Sequence, residues 1–226
     1  MARSRVEGIL ESLAPARVLD VGCGCGRFSS QLAKGSRQVI AVDPVFGGRT
    51  WHEAEVASGV RFCCMDGSAL GFGDSSFPLV LERAALHHIV HWPDVVAEMM
   101  RVTSGHLVLV EPVDDLRSAA KSRTFEAQVL LLEVQAEAGY AHYRHLDSEV
   151  LVRSLKGLGS VLEVHVDRND APRSFDDFFV NFGEFAGRTR RPAYWQKRLR
   201  DLRARIGVDA LSEDDTLTVL AVKHEP

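Results

Sequence analysis

Apolar residues in the first half of this chain fall into short runs separated by stretches of helical spacing. The runs predict strands at residues 18–21, 38–42, 60–65, 79–81 and 106–110. Successive residues within them are mostly apolar, as expected of strands covered on both faces in a parallel sheet. Val6, Ile9, Leu10 and Leu13 recur at helical spacing, and residues 28–34, 49–57 and 95–101 also read as helices. Strand and helix in alternation predict an α/β fold, a parallel sheet wound by crossover helices.

The second half changes character. Residues 116–138 and 148–158 carry helical patterns, while 161–166 and 216–222 read as two late strands. Between those strands, residues 174–206 are aromatic at first and then basic. No repeat, low-complexity tract or linker marks a boundary, so a single domain over residues 1–226 is expected. Its additions would be a helical lid at 114–145 and an insertion at 174–206 between the last two strands.

Composition sets limits on function. The 226 residues are 46% hydrophobic and 26% charged, enough for one sizeable soluble domain. A net charge of −4 argues against nucleic acid as a partner. No apolar run approaches the ~20 residues that span a bilayer, and residues 1–13 lack a signal peptide's apolar core. A cytoplasmic location is the resulting expectation. Cys23, Cys25, Cys63 and Cys64 form neither a disulfide framework nor a CxxC pair. They read either as a thiolate cluster for a soft metal or as small apolar fillers, and no metal is expected.

The strongest chemical signal is V-L-D-V-G-C-G-C-G, residues 18–26, leading into a helical pattern at Arg27 and Phe28. A buried strand here feeds a glycine-rich turn at a helix N-terminus, where bare backbone N–H groups receive a polar or anionic ligand. The dinucleotide fingerprint G-x-G-x-x-G fails in both registers. Its third glycine would fall at Arg27 counting from Gly22, or at Ser29 counting from Gly24. The chain instead has D-x-G-x-G-x-G, beginning at Asp20.

That pattern resembles the nucleotide-binding turn of class I S-adenosylmethionine-dependent methyltransferases. The resemblance implies a Rossmann-like, doubly wound, mostly parallel seven-stranded sheet ending in an antiparallel hairpin, with helices on both faces. It also implies S-adenosyl-L-methionine as cofactor and S-adenosyl-L-homocysteine as product. Asp20, Gly22, Gly24 and Gly26 would surround the methionine part.

Two further acids follow. Asp43, next to Pro44, ends the second strand 17 positions beyond Gly26. A carboxylate there can accept from both ribose hydroxyls, although Asp-Pro taken alone reads as a turn. Asp66 follows the third strand in F-C-C-M-D-G-S. The resemblance makes it an acceptor for the adenine amino group, with Met65 and the backbone at Gly67 beside the ring and Ser68 nearby. Taken alone it is an Asp-Gly turn. Acids ending three successive strands mark the carboxyl edge, where such sheets bind ligands.

Next comes F-G-D-S-S-F-P-L-V-L-E-R-A-A-L-H-H-I, similar to P-F-x-D-x-S-F-D-x-V and L-H-H of the small-molecule (type 11, quinone-biosynthesis-like) group. Pro78 replaces an aspartate of that pattern, and Gly105-His106 replaces Gly-Gly. By resemblance, Glu82 and Arg83 lie at the methyl-transfer site. Backbone there would meet the methionine amino group, and Arg83 would hold an anionic substrate or form a surface ion pair. His87 and His88 open a helix. Either could take a proton from a hydroxyl or thiol acceptor, or serve structure alone. Glu111, before Pro112, would line the substrate cavity.

Tyr140, His142, Tyr143 and His145 cluster after the first long helix. They read as an aromatic wall with polar handles over a substrate, or as anchors of the helix. The run F-D-D-F-F-V-N-F-G-E-F reads as a wall, a homodimer interface or an apolar pocket. Residues 188–207 hold eight Lys/Arg against one Asp, a local charge of +7. This is either a nucleic-acid contact with Tyr194 and Trp195 stacking, or a solvated helix packed through Trp195, Leu199, Leu202 and Ile206.

The function to which these residues point is S-adenosylmethionine-dependent methyl transfer to a small-molecule acceptor by in-line displacement. Rate would come mainly from alignment in a dry site. The other readings are an RNA or protein methyltransferase using residues 188–207, and a catalytically silent methyltransferase-like interaction subunit.

Overall fold

The computed structural model describes residues 5–33, 37–45, 51, 53, 59–207 and 211–224. Its strands are β1 (Arg17–Val21), β2 (Gln38–Asp43), β3 (Arg61–Cys64), β4 (Phe77–Arg83), β5 (Thr103–Val113), β6 (Gly159–Asp167), β7 (Pro172–Arg173), β8 (Leu211–Ser212) and β9 (Asp215–Lys223). Seven of them form one sheet in the order β3-β2-β1-β4-β5-β9-β6, while β7 and β8 pair separately. Strands β1 to β5 run parallel, and β9 is antiparallel to both β5 and β6. The chain starts in the middle of the sheet, winds out to β3 and returns to β4. The crevice where winding reverses, between β1 and β4, is where ligands bind in such sheets.

The helices are α1 (Arg5–Leu13), α2 (Arg27–Leu32), α3 (Trp92–Val102), α4 (Ala119–Glu137), α5 (Ser148–Ser154), α6 (Phe175–Phe178), α7 (Phe182–Arg188) and α8 (Pro192–Ile206). Alternation along the strands sends successive side chains to opposite faces. Leu19, Val80 and Leu109 pack on one face with Val96 and Met99 of α3 and Leu151 of α5. Val18, Leu79 and Val108 pack on the other with Ile9 and Leu10 of α1 and Leu32 of α2. A third cluster stands apart from the sheet and joins α4 to the aromatic insertion through Leu130, Val134, Phe175, Phe182, Trp195 and Leu202.

Several elements differ from expectation at their edges. His87 and His88 lie in a single 3-10 turn, Leu86–His88, and the helix proper begins at Trp92 with proline in its first turn. The helix expected over 148–158 ends at Ser154, ahead of Gly157 at φ 85°. The helix expected over 49–57 lies outside the described residues except for Trp51 and Glu53, which are helical.

The basic segment is a helix packed through its apolar stripe, with Trp195, Leu199, Leu202 and Ile206 in the third cluster. Its cations meet acids on neighbouring helices: Arg191 pairs with Glu137, Arg198 with Glu133, Arg205 with Glu126 and Arg203 with Asp176. Among the described residues no helix is long and apolar enough to cross a membrane.

Candidate cofactor site and adjoining histidine cluster

The glycine turn is folded onto the end of β2. Gly22 and Cys23 both donate their N–H to Val42 O, at 2.8 and 3.0 Å. Gly22, Gly24 and Gly26 take φ of 76°, 54° and 81°, the left-handed region that L side chains rarely adopt. The turn is also tightly enclosed at its ends. A Cβ on Gly22 would stand 2.4 Å from the Cβ of Ala85, and one on Gly26 would stand 2.5 Å from the Phe62 ring. At Gly24 a Cβ would meet nothing within 4 Å, so the crest of the turn faces open space.

Asp43 completes this crest. Its Oδ2 accepts from Gly24 N–H at 2.9 Å and its Oδ1 from Val45 N–H at 2.9 Å. Each oxygen keeps further lone-pair capacity for a ligand hydroxyl. Trp51, absent from the residues expected at the site, is buried and donates its indole N–H to Gly24 O at 2.7 Å. Its ring stacks on Phe62 at 5.1 Å. Asp66 is exposed at the end of β3, and Ser68 donates to its Oδ1 through both backbone (2.8 Å) and hydroxyl (2.7 Å). Those two bonds hold the carboxyl below the usual range. Met65 is half-buried, and Gly67 is buried against Val95.

Asp20 is placed differently. Only 1% exposed, it turns beneath the loop and accepts from the Ser29 hydroxyl at 2.6 Å, tying β1 to the first turn of α2. Burial pushes it up to about 6, against the opposing effect of the Ser29 bond. The folded state therefore holds this proton where the unfolded chain has released it. The resulting stability is present below the ordinary carboxylate pKa and lost as pH rises through about 6. Asp20→Asn should accordingly be more stable than the parent at pH 7.5, by at most about 3 kcal/mol. The gain should vanish near pH ~4. Denaturant melts at both pH values check this, and an equal offset at both would refute it.

On the other side of the crevice, Glu82 of β4 and Glu111 of β5 are both 0% exposed. Glu111 Oε1 accepts from the N–H groups of Ala85 and Leu86 at 2.8 Å each, and Oε2 accepts from His87 Nδ1 at 2.6 Å. Glu82 Oε1 accepts from Val110 N–H at 2.9 Å. Burial, and then the neighbouring Glu111, raise Glu82 well above the usual range, so it keeps its proton. Burial works against ionisation of Glu111 too, but His87, Glu82 and the Leu86 N–H together hold that carboxyl below the usual range. The pair thus carries one negative charge. The side chain of Glu82 serves the site through the backbone it grips.

The turn Leu86–His88 meets the loop after α4. Tyr143 N–H donates to His87 O at 2.9 Å, and His88 Nδ1 donates to Ala141 O at 2.9 Å. His142 completes a group of three imidazoles, its centroid 5.2 Å from His87 and 4.6 Å from His88. Burial, and then its histidine neighbours, push His142 down to about 4. Tyr143 is 44% exposed beside this group. Tyr140 packs instead edge-on against Phe185 of α7 at 4.9 Å.

Arg83 lies away from the histidines, its guanidinium 4.7 Å over the Phe28 ring. Together with Arg5, Phe28, Arg37, Pro112 and Thr216 it lines a cavity of about 750 Å³ on the α1 side of the sheet. Neither the glycines nor Asp43 and Asp66 border that cavity. The four cysteines are free, and among the described residues they form no ligand cluster.

This strand order places a glycine turn and an acid at the reversal point, where doubly wound α/β sheets bind nucleotide cofactors. Residues 19–110 match the family described as "Methyltransferase domain". Over 113 residues the chain is 34% identical to malonyl-[acyl-carrier protein] O-methyltransferase of Halorhodospira halophila, spanning 46% of this chain and 38% of that protein. The curated relatives it matches are spanned over 17% to 51% of their length. Among solved structures, the BH2331 protein of Bacillus halodurans C-125 aligns with TM-score 0.68 at 19% identity, covering 99% of this chain and 100% of that one. A 1,6-didemethyltoxoflavin-N1-methyltransferase of Burkholderia thailandensis, solved with S-adenosylhomocysteine, aligns with TM-score 0.59 at 18% identity, covering 96% and 76%. Residues 19–110 thus match a methyltransferase-domain model, and the fold is shared with these solved structures.

Proposed function

We propose that this protein is an S-adenosylmethionine-dependent methyltransferase whose acceptor is a small molecule. The observation that carries the reading is the crest of the glycine turn, where Asp43 is fixed on Gly24 N–H beside open space. S-adenosylmethionine, when bound, supplies a methyl group already activated on a sulfonium. Gly22, Gly24 and Gly26 would hold its methionine part, Asp43 and Pro44 the ribose, and Met65, Asp66 and Gly67 the adenine. Glu82 and Glu111 hold the facing wall by gripping the backbone of residues 85, 86 and 110. His88, exposed and with Nδ1–H committed to Ala141 O, leaves Nε2 free to take a proton from an acceptor hydroxyl or thiol.

Residues 114–145 and 174–206 form the lid, and Tyr143 N–H ties it to His87 O at 2.9 Å. A small acceptor is favoured over nucleic acid because Arg191, Arg198, Arg203 and Arg205 are paired onto acids of α4 and α6. The relatives are named for O- and N-methylation, so the acceptor atom is not common to them. Four free thiols suit a reducing, cytoplasmic compartment.

Calorimetric titration with S-adenosylmethionine, S-adenosylhomocysteine and NAD tests the reading. Micromolar binding of the first two is expected, with no heat from NAD. Asp43→Ala should weaken binding by about 100-fold, as lost hydrogen bonds to a charged group predict. A folded protein that binds neither sulfur ligand would overturn the proposal.

A further inference from the structure

Three histidines from two distant parts of the chain meet at the carboxyl edge of the sheet. His87 and His88 come from the turn after β4, and His142 from the loop after α4. A ring nitrogen of each lies within 4.8 Å of a ring nitrogen of the other two. What distinguishes the group from stacked core imidazoles is the engagement of every Nδ1. His87 donates to the Glu111 carboxylate at 2.6 Å, His88 to the Ala141 carbonyl at 2.9 Å and His142 to the Gln135 side-chain oxygen at 2.8 Å. All three acceptors are oxygens, so the proton of each neutral ring sits on Nδ1. Three Nε2 lone pairs are left to bind a ligand.

We propose that His87, His88 and His142 form a site for one divalent transition-metal ion of the zinc type, bound through their Nε2 atoms with a fourth position open. Metal-binding histidines are oriented in this way, by a carboxylate or carbonyl on the nitrogen away from the metal. Imidazole nitrogens suit zinc, copper, nickel and iron, and three protein ligands leave room for a water or substrate atom. At metal–nitrogen distances of about 2.0–2.1 Å, tetrahedral ligands stand about 3.4 Å apart. The ring nitrogens, now within 4.8 Å of one another, must draw in to that value when metal binds. His87 is buried, His142 half-buried and His88 exposed, so the group is anchored inside and reachable from solvent. The turn carrying His87 and His88 follows Ala85, which abuts Gly22, so the group adjoins the glycine turn. A metal here takes the His88 Nε2 lone pair, so metal binding and proton removal by His88 are alternative states of the site, and metal binding is testable without methyl transfer.

The full chain, stripped with chelator and dialysed, is titrated with ZnCl2 or CoCl2 alone. One equivalent should bind at micromolar Kd or tighter, and Co2+ should give visible d–d bands without a thiolate charge-transfer band. His142→Ala, on a loop, should weaken binding at least 100-fold while its thermal melt and S-adenosylhomocysteine binding stay near parental. His165→Ala, on exposed β6, should bind as the parent does. Binding that survives His142→Ala, a thiolate band, or no binding below millimolar metal would each overturn the proposal. The S-adenosylhomocysteine arm reads the cofactor site separately, so failure of one site is not mistaken for failure of the other.

Discussion

Glu111→Ala is expected to cost this fold about 3–5 kcal/mol, the range for breaking a buried charged network by removing one partner. The carboxylate is 0% exposed and accepts from three donors: Ala85 N–H, Leu86 N–H and His87 Nδ1–H. Alanine leaves Leu86 N–H and His87 Nδ1–H without an acceptor and Ala85 N–H with only Glu82 at 3.2 Å, and a buried unsatisfied group costs about 1–3 kcal/mol. It also leaves protonated Glu82 without the neighbour that accepts from it. Glu111→Gln should lose less than alanine, because one amide oxygen still serves the two backbone N–H groups. Urea melts of the three proteins decide the matter. A loss below about 1 kcal/mol for alanine would mean that water replaces the carboxylate and that the network is not dry.

Gly22→Ala should abolish measurable S-adenosylhomocysteine binding, a loss exceeding about 100-fold, and destabilise the fold by about 2–4 kcal/mol. Two independent costs combine. An L side chain at φ 76° pays about 1–2 kcal/mol. The new methyl would also stand 2.4 Å from the Cβ of Ala85. Ala85 is poorly placed to retreat, because its N–H is held by Glu111 at 2.8 Å and Glu82 at 3.2 Å. The double variant Gly22→Ala/Ala85→Gly removes the clash and keeps the backbone strain. It should recover part of the stability and little of the binding. Full recovery of both would show that sterics alone govern the turn.

The cofactor half of the site is legible in the sequence because its determinants are local. A strand's apolar run, three glycines at spacing two and acids at the ends of β1, β2 and β3 express backbone geometry within a few residues. Left-handed φ at Gly22, Gly24 and Gly26 is what those glycines exist to supply. Trp51 is not legible in the same way, because an aromatic within a helical pattern reads as core. Only folding brings its indole to Gly24 O.

The histidine side is legible only in pieces. Glu82, Glu111, His87 and His88 each stand out singly, yet their partnership spans two strands, with Glu111 24 positions from His87. The loop that supplies His142 is more distant still. Ala141, whose carbonyl accepts from the His88 ring, is 53 positions beyond it. The basic segment shows the same limit in reverse. Its +7 charge leaves both a nucleic-acid surface and a solvated helix open until α4 supplies Glu126, Glu133 and Glu137 opposite it.

By itself, then, the sequence determined the alternation of strand and helix, the glycine turn and the acids at the sheet's edge, because hydrophobic period and glycine conformation act over a few residues. Tertiary structure alone decided which carboxylate keeps its proton, which ring nitrogens remain free and which arginines are neutralised. Those properties depend on burial and on neighbours within a few ångströms, and chain separation carries no record of either.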